Sequence, residues 1–422
     1  MVCLKIYPHI PLAKTVLNRG CMQKRDLKLI LITILTICNL FIFSSKSISN
    51  ALDFSAKAYI LYCPENRQII LEKSSNEKLP IASTTKIMTS LIALETAKIK
   101  DEDVVVTSDM LKAEGSSMGL NVGDVLPLSS LAKGMLTVSG NDAANSVALS
   151  LCSSLESFSK LMNKKAKELG MKNSNFVTPS GLDAKDHYST AYDLALLASS
   201  AMNNEDFLKV ASKTKTDVMF KNPKKVSIFY NENKLLKKYK GCIGGKTGYT
   251  KLSGRCLVSC AQRDNLRLVA VTLNAPDDWN DHIKLFDYGF SNFKASIPKD
   301  EDIKIPLLHG IDKYVNLETI KKPAIITKIN KEPVITTKLE IPKNLYAPVC
   351  KDRIIGTITY LVDGKEYAKC NLTPTKDYDE KNNKRKIWKK FTLFVKRTYC
   401  AITNFFRKII NFPFKLFRRI SR

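Results

Sequence analysis

The chain has 422 residues, 44% of them hydrophobic, and a net charge of +27 at pH 7. That is more than one ordinary domain, with enough apolar content for a sizeable core. Residues 1–51 carry seven Lys/Arg against one Asp, and residues 381–422 carry fourteen Lys/Arg with no acid. The body between them is therefore only mildly basic, and with four histidines in the chain and no Cys-x-x-Cys pair, no zinc, redox or cofactor site is expected.

At the N-terminus, Lys24, Arg25 and Lys28 precede the apolar run Leu29–Phe43, and Ser49-Asn50-Ala51 offers small residues for signal-peptide cleavage. Export is the expectation for residues 1–51, and Met22 stands where an ordinary signal peptide would begin. Some mature cysteines then have the chance to form disulfides, Cys350 and Cys370 first among them, but most lie in apolar stretches and read as small core residues.

Ala58–Cys63 and Gln68–Glu72 flank the turn-forming Pro64-Glu65-Asn66 and predict a first hairpin. Helical patterns fill 83–212. Ser83 and Thr84 are good N-caps, and Ile87, Leu91 and Leu94 follow at the spacing of one buried helix face, so Ser83 is expected to open a helix. Ser-x-x-Lys occurs seven times in the chain, and only this context selects Ser83 and Lys86. Three residues apart on a helix, they share a face, and the serine hydroxyl sits at the positive end of the helix dipole. A lysine takes a serine proton only when neutral, which requires a dry, cation-rich pocket; Lys246 nearby would supply both conditions.

Ser139-Gly140-Asn141 reads as a short connection between two helices that faces a cleft. The Ser139 hydroxyl is suited to relay a proton from Lys86 to a leaving amine, and the Asn141 amide to orient Lys86 and hold a substrate amide. His187 is expected to pack a loop rather than act as a base. Lys246-Thr247-Gly248 stands between Gly244-Gly245 and the strand-like Arg255–Ala261 and suggests the start of a strand lining the cleft. Lys246 and Thr247 are suited to a substrate carboxylate, Gly248 to close backbone approach, and the N–H groups of Ser83 and Tyr249 to an oxyanion hole. Arg255–Ala261 and Leu266–Leu273 around Asp264-Asn265 predict a second hairpin, and Asn280-Asp281 a helix start that gives His282 no metal role.

After Phe290 come short β-rich segments, Ile303–Leu308, Ala324–Ile329, Val334–Ile341, Ile354–Val362 and Glu366–Leu372, separated by Pro and Gly. A linker, Thr375–Asn383, leads into a tail, 384–422, with thirteen Lys/Arg and one apolar side (Ile387, Phe391, Phe394, Val395, Ile402, Phe405, Phe406, Ile409). Too charged to span a bilayer, it suits a helix lying on an anionic membrane surface. With an export signal, nucleic acid is not an expected partner.

The motifs at Ser83, Ser139 and Lys246 are separated by 56 and 107 residues. In that order they resemble the penicillin-recognising serine enzymes. Ile81-Ala82-Ser83-Thr84-Thr85-Lys86, Ser139-Gly140-Asn141-Asp142-Ala143-Ala144, Asn233-Lys234-Leu235-Leu236 and Lys246-Thr247-Gly248-Tyr249-Thr250 are most similar to the low-molecular-mass D-alanyl-D-alanine carboxypeptidases, over roughly residues 52–374. The resemblance implies an α+β chain. A β-lactamase/transpeptidase-like catalytic domain (52–293), with a helical cluster and an antiparallel sheet, precedes a small all-β domain (294–374). It also implies removal of the terminal D-alanine from the peptidoglycan stem pentapeptide through an acyl-enzyme on Ser83, and inhibition by β-lactams. The location implied is the outer face of the cytoplasmic membrane of a bacterium. A class A β-lactamase would carry a deacylating Glu after the second motif, whereas Asn175–Leu182 has no carboxylate. Some carboxypeptidases carry an arginine after the strand that follows the third motif. Here Asn274–His282 has none, so carboxylate recognition is expected to rest mainly on Lys246 and Thr247. The alternatives are a DD-endopeptidase of peptidoglycan cross-links and a catalytically idle β-lactam or peptidoglycan sensor.

Overall fold

The computed structural model describes residues 52–299 and 301–381, together with Val395 and Thr398. The leader segment, and the tail apart from those two residues, lie outside the described residues.

An antiparallel sheet organises the catalytic region: β1 (Ala58–Cys63), β2 (Gln68–Lys73), β3 (Cys242–Thr250), β4 (Gly254–Arg263) and β5 (Leu266–Leu273), in the order β2-β1-β5-β4-β3. Its middle strands are apolar on both faces. Ile60, Tyr62, Val258, Val269 and Val271 point into one hydrophobic cluster, and their neighbours Leu61, Leu257, Leu268 and Ala270 into another. Period-two alternation between two apolar faces marks a sheet covered on both sides.

One cover is helical, formed by α1 (Lys86–Ile99), α2 (Leu128–Val138), α3 (Asn141–Leu151) and α4 (Ala191–Asn203). The other is α5 (Asp278–Asn292), which buries Leu285 and Phe286. α1 departs from the expected single buried face, because all nine residues Lys86–Leu94 are buried. It runs through the middle of the helical cluster, where Thr89 satisfies its hydroxyl by donating to the Pro179 carbonyl at 2.6 Å.

A hairpin absent from the sequence reading, Lys215–Phe220 with Lys225–Tyr230, leads toward β3. Beyond α5 a six-stranded sheet closes over Ile305, Val315, Ile358, Tyr360 and Leu372. It contains four of the five expected segments and the unforeseen strand Tyr314–Thr319; the fifth, as Ile325–Lys328, pairs with Phe293–Ser296 in a separate two-stranded sheet. The start of the expected linker also belongs here: Tyr378 is 1% exposed and its backbone pairs with Val349. The polar residues around it hid one aromatic anchor. Cys63, Cys256 and Cys260 are buried core residues, whereas Cys350 is exposed; these and Cys370 are free thiols.

Candidate active site

Ser83 lies in a 3₁₀ turn, Ala82–Thr85, and the α-helix begins only at Lys86. The expected N-caps do not cap; Thr84 instead donates its hydroxyl back to the Ile81 carbonyl at 2.7 Å. The tighter turn still brings Lys86 Nζ to 2.8 Å from Ser83 Oγ. The same nitrogen reaches Asn141 Oδ1 and the Ser180 carbonyl, both at 2.7 Å. With Nζ fully buried, desolvation holds Lys86 well below the ordinary lysine range, and the charge of Lys246 lowers it further; Glu232 and Asp142 oppose both.

Ser139 and Asn141 occupy the junction of α2 and α3. Ser139 takes a left-handed backbone, φ 62°, which ends one helix and turns the chain into the next. Asn141 is the first residue of α3, and its Nδ2 donates to the Glu114 carbonyl. Asn141 thus orients Lys86 through Oδ1, and its Nδ2, which carries two protons, gives one to Glu114. The neighbouring Asp142 holds the adjoining loop, accepting from the backbone N–H groups of Met118, Gly119 and Leu120 at 2.8, 3.0 and 3.1 Å. Its position next to Asn141 was the only sequence cue to that task.

The Lys-Thr-Gly motif falls in the middle of β3, not at its start. Gly244 and Gly245, expected to precede the strand, pair with Cys260 and Ser259, and a Cβ at Gly245 would strike the Val258 carbonyl at 2.1 Å. Gly248 lies against the Ser83 turn. A Cβ there would sit 3.0 Å from the Ile81 carbonyl and the Ser83 nitrogen. Lys246 is 2% exposed, and burial lowers its proton affinity, opposed by Glu232. Lys246 Nζ lies 3.5 Å from Glu232 Oε2, and Thr247 Oγ1 donates to the same oxygen at 3.1 Å.

A cleft of about 300 Å³ joins these parts, lined by Ser83, Ser139, Glu232, Thr247, Tyr249 and Arg255 among others. Glu232 and Arg255 went unread in the sequence. Glu232 directly precedes the quoted Asn233-Lys234-Leu235-Leu236, and Arg255 opens the strand after the third motif. Arg255 binds Asp278 through Nη2 at 2.6 Å and Nε at 3.1 Å, and it lies over Trp279. Arg255 thus brings a guanidinium from β4 to the same cleft. A larger cavity of about 900 Å³, lined by Leu94, Lys133, Lys209 and Thr216, contains none of the motif residues.

The Asn175–Leu182 loop brings the Ser180 carbonyl, and no carboxylate of its own, to Lys86. Gly181 permits that approach: at φ +84° its Cβ would overlap the Ala82 carbonyl at 1.9 Å. His187 braces the loop. Its Nδ1 accepts from the Val177 and Thr178 N–H groups, its Nε2 meets Thr85 Oγ1 at 2.9 Å, and burial pushes it down to about 4. His282 is buried between Ser259 and Thr272, and among the described residues no His, Cys, Asp and Glu cluster has a metal-binding arrangement.

Residues 45–277 match the family model for D-alanyl-D-alanine carboxypeptidase, and residues 293–380 that for the C-terminal domain of penicillin-binding protein 5. The chain is 33% identical over 368 residues to the D-alanyl-D-alanine carboxypeptidase DacF of Bacillus subtilis, covering 85% of this chain and 92% of the relative. It is 30% identical to the D-alanyl-D-alanine carboxypeptidase DacC of Escherichia coli, covering 82% and 90%. Its fold is similar to a crystal structure of penicillin-binding protein 5 from Haemophilus influenzae, with TM-score 0.60 and 28% identity over 78% of this chain and 98% of that one.

Proposed function

The chain belongs to the D-alanyl-D-alanine carboxypeptidase family and is a serine-type carboxypeptidase of the penicillin-binding kind, and we propose that Ser83 is its nucleophile. Peptidoglycan peptides are its substrate class, and β-lactams bind it. The observation that carries the residue assignment is the 2.8 Å contact between Ser83 Oγ and a fully buried Lys86 Nζ whose proton affinity is depressed.

In this reading, neutral Lys86 accepts the Ser83 proton as Oγ attacks the carbonyl of the penultimate D-alanine. Asn141 Oδ1 and the Ser180 carbonyl fix the direction of the Lys86 lone pair. The backbone N–H groups of Ser83 and Tyr249 receive the developing oxyanion, and the close passage of Gly248 under the Ser83 turn supports that pairing. Ser139 returns a proton to the departing D-alanine. Lys246 and Thr247 take the terminal carboxylate, with Arg255 at the edge of the same cleft. Water then hydrolyses the acyl-enzyme, activated by the Lys86, Ser139 and Lys246 network.

The stem pentapeptide is the proposed substrate form. The proposed setting is the outer face of the cytoplasmic membrane, reached through the leader in 1–51 and held by the basic tail 384–422. Among the described residues no helix is long and apolar enough to cross a membrane. Release of D-alanine from a stem pentapeptide, lost in Ser83→Ala, tests the assignment. Consumption of cross-linked dimers but not pentapeptide by the same protein would move it to an endopeptidase.

A further inference from the structure

Of the donors assigned to the ligand carboxylate, Thr247 is occupied and Lys246 is approached by a carboxylate of the chain itself. Thr247 Oγ1 has one proton and gives it to Glu232 Oε2 at 3.1 Å; Lys246 Nζ is 3.5 Å from the same oxygen. The Glu232 side chain is 44% exposed and borders the cleft beside Thr247 and Lys234. It arrives there from the Lys215–Tyr230 hairpin, and its backbone is held by the Thr137 carbonyl at 3.3 Å. The backbone is anchored while the carboxylate has room to leave.

We propose that Glu232 is a specificity-determining residue, an internal stand-in for the substrate's terminal carboxylate that every anionic ligand must displace. The inference rests on the reading that Lys246 and Thr247 receive that carboxylate. A hydroxyl proton cannot serve both anions, and two carboxylates at one lysine repel each other. An anionic ligand therefore binds against a penalty that a ligand without the charge does not meet. Glu232 thereby moderates binding of free-acid peptides and of β-lactams, which also carry a carboxylate.

The test pairs residue charge with ligand charge. Wild type, Glu232→Gln and Glu232→Asp are compared on a diacetylated tripeptide ending in D-Ala-D-Ala and on the same peptide with an amidated C-terminus. Removing one charge at a half-exposed position should raise kcat/KM for the acid about tenfold, and for the amide less than about twofold. Glu232→Asp, which keeps the charge but shortens its reach, should fall between. Equal changes for both peptides, or a fall with the acid alone, overturn the inference. Thr247→Val separates the layers. If it leaves the acid-to-amide ratio untouched, the carboxylate reading itself fails; if it lowers the ratio while folded Glu232→Gln does not raise it, only the role of Glu232 fails.

Discussion

Gly248→Ala isolates the coupling between β3 and the nucleophile's turn. The added Cβ would lie 3.0 Å from the Ile81 carbonyl and the Ser83 nitrogen and 3.1 Å from the Thr84 nitrogen, where ordinary contact begins at 3.4 Å. Three backbone atoms of one 3₁₀ turn cannot rotate away as a side chain would, so strand and turn must part by about 0.4 Å. That movement separates the two N–H groups assigned to the oxyanion. A displacement of about 1 Å in a reacting geometry costs on the order of 100-fold, and losing one oxyanion donor costs about 100–1,000-fold. We therefore expect acylation by a fluorescent penicillin to slow about tenfold in Gly248→Ala, with stability lowered by only about 1 kcal/mol. Stopped-flow acylation and a urea melt measure the two separately. Acylation at the wild-type rate in a folded variant would refute the claim that this close approach sets the oxyanion geometry.

Lys246 lowers the proton affinity of Lys86, so Lys246→Gln should move the acid limb of the acylation rate to higher pH, whatever it does to the rate's height; an unmoved limb would detach Lys86 from it. Arg255→Gln should raise KM for a stem pentapeptide about tenfold with kcat little changed, Asp278→Asn serving as the control for loss of the ion pair alone; equal effects of the two on KM would make Arg255 merely structural. Burial holds His187 at about 4 in the fold, against 6.5 for a free ring. The folded chain keeps it neutral where the unfolded chain binds a proton, so its contribution to stability is complete above about pH 6.5. That contribution disappears as pH falls toward 4, a loss of about 3 kcal/mol. Urea midpoints from pH 7 to 4 should drop more steeply in wild type than in His187→Gln, and parallel curves would exclude the ring as the source. Asp142→Ala strips charged acceptors from three backbone N–H groups of one loop and should cost about 3 kcal/mol in the same melt; a loss below about 1 kcal/mol would mean the loop holds without it.

Much of the architecture was written locally. Ala58–Cys63 and Leu266–Leu273 are strands with the expected ends, because β-branched and apolar runs bounded by turn residues can pair wherever they fall. What escaped were elements whose local chemistry misleads. Gly244-Gly245 looks like punctuation but continues a strand, since only glycine lets β3 pass so close to Val258. The Lys215–Tyr230 hairpin buries Val218 and Phe220 on one face and leaves Met219, Val226, Ile228 and Tyr230 exposed on the other, so its pattern lacked a single apolar side. Tyr378 was hidden among polar neighbours.

The sequence by itself determined the chemistry class of the site. Ser83, Lys86, Ser139, Asn141, Lys246 and Thr247 were legible because three short motifs in fixed order constrain one another, although each alone is weak. Tertiary structure alone decided the electrical state of that chemistry. Lys86 is depressed because α1 is buried on every side and β3 delivers a second ammonium, conditions set by residues more than a hundred positions apart. Glu232 and Arg255 belong to the cleft for the same reason. Their neighbours in space come from other strands and loops, and distance along the chain says nothing about which charges will share one low-dielectric pocket.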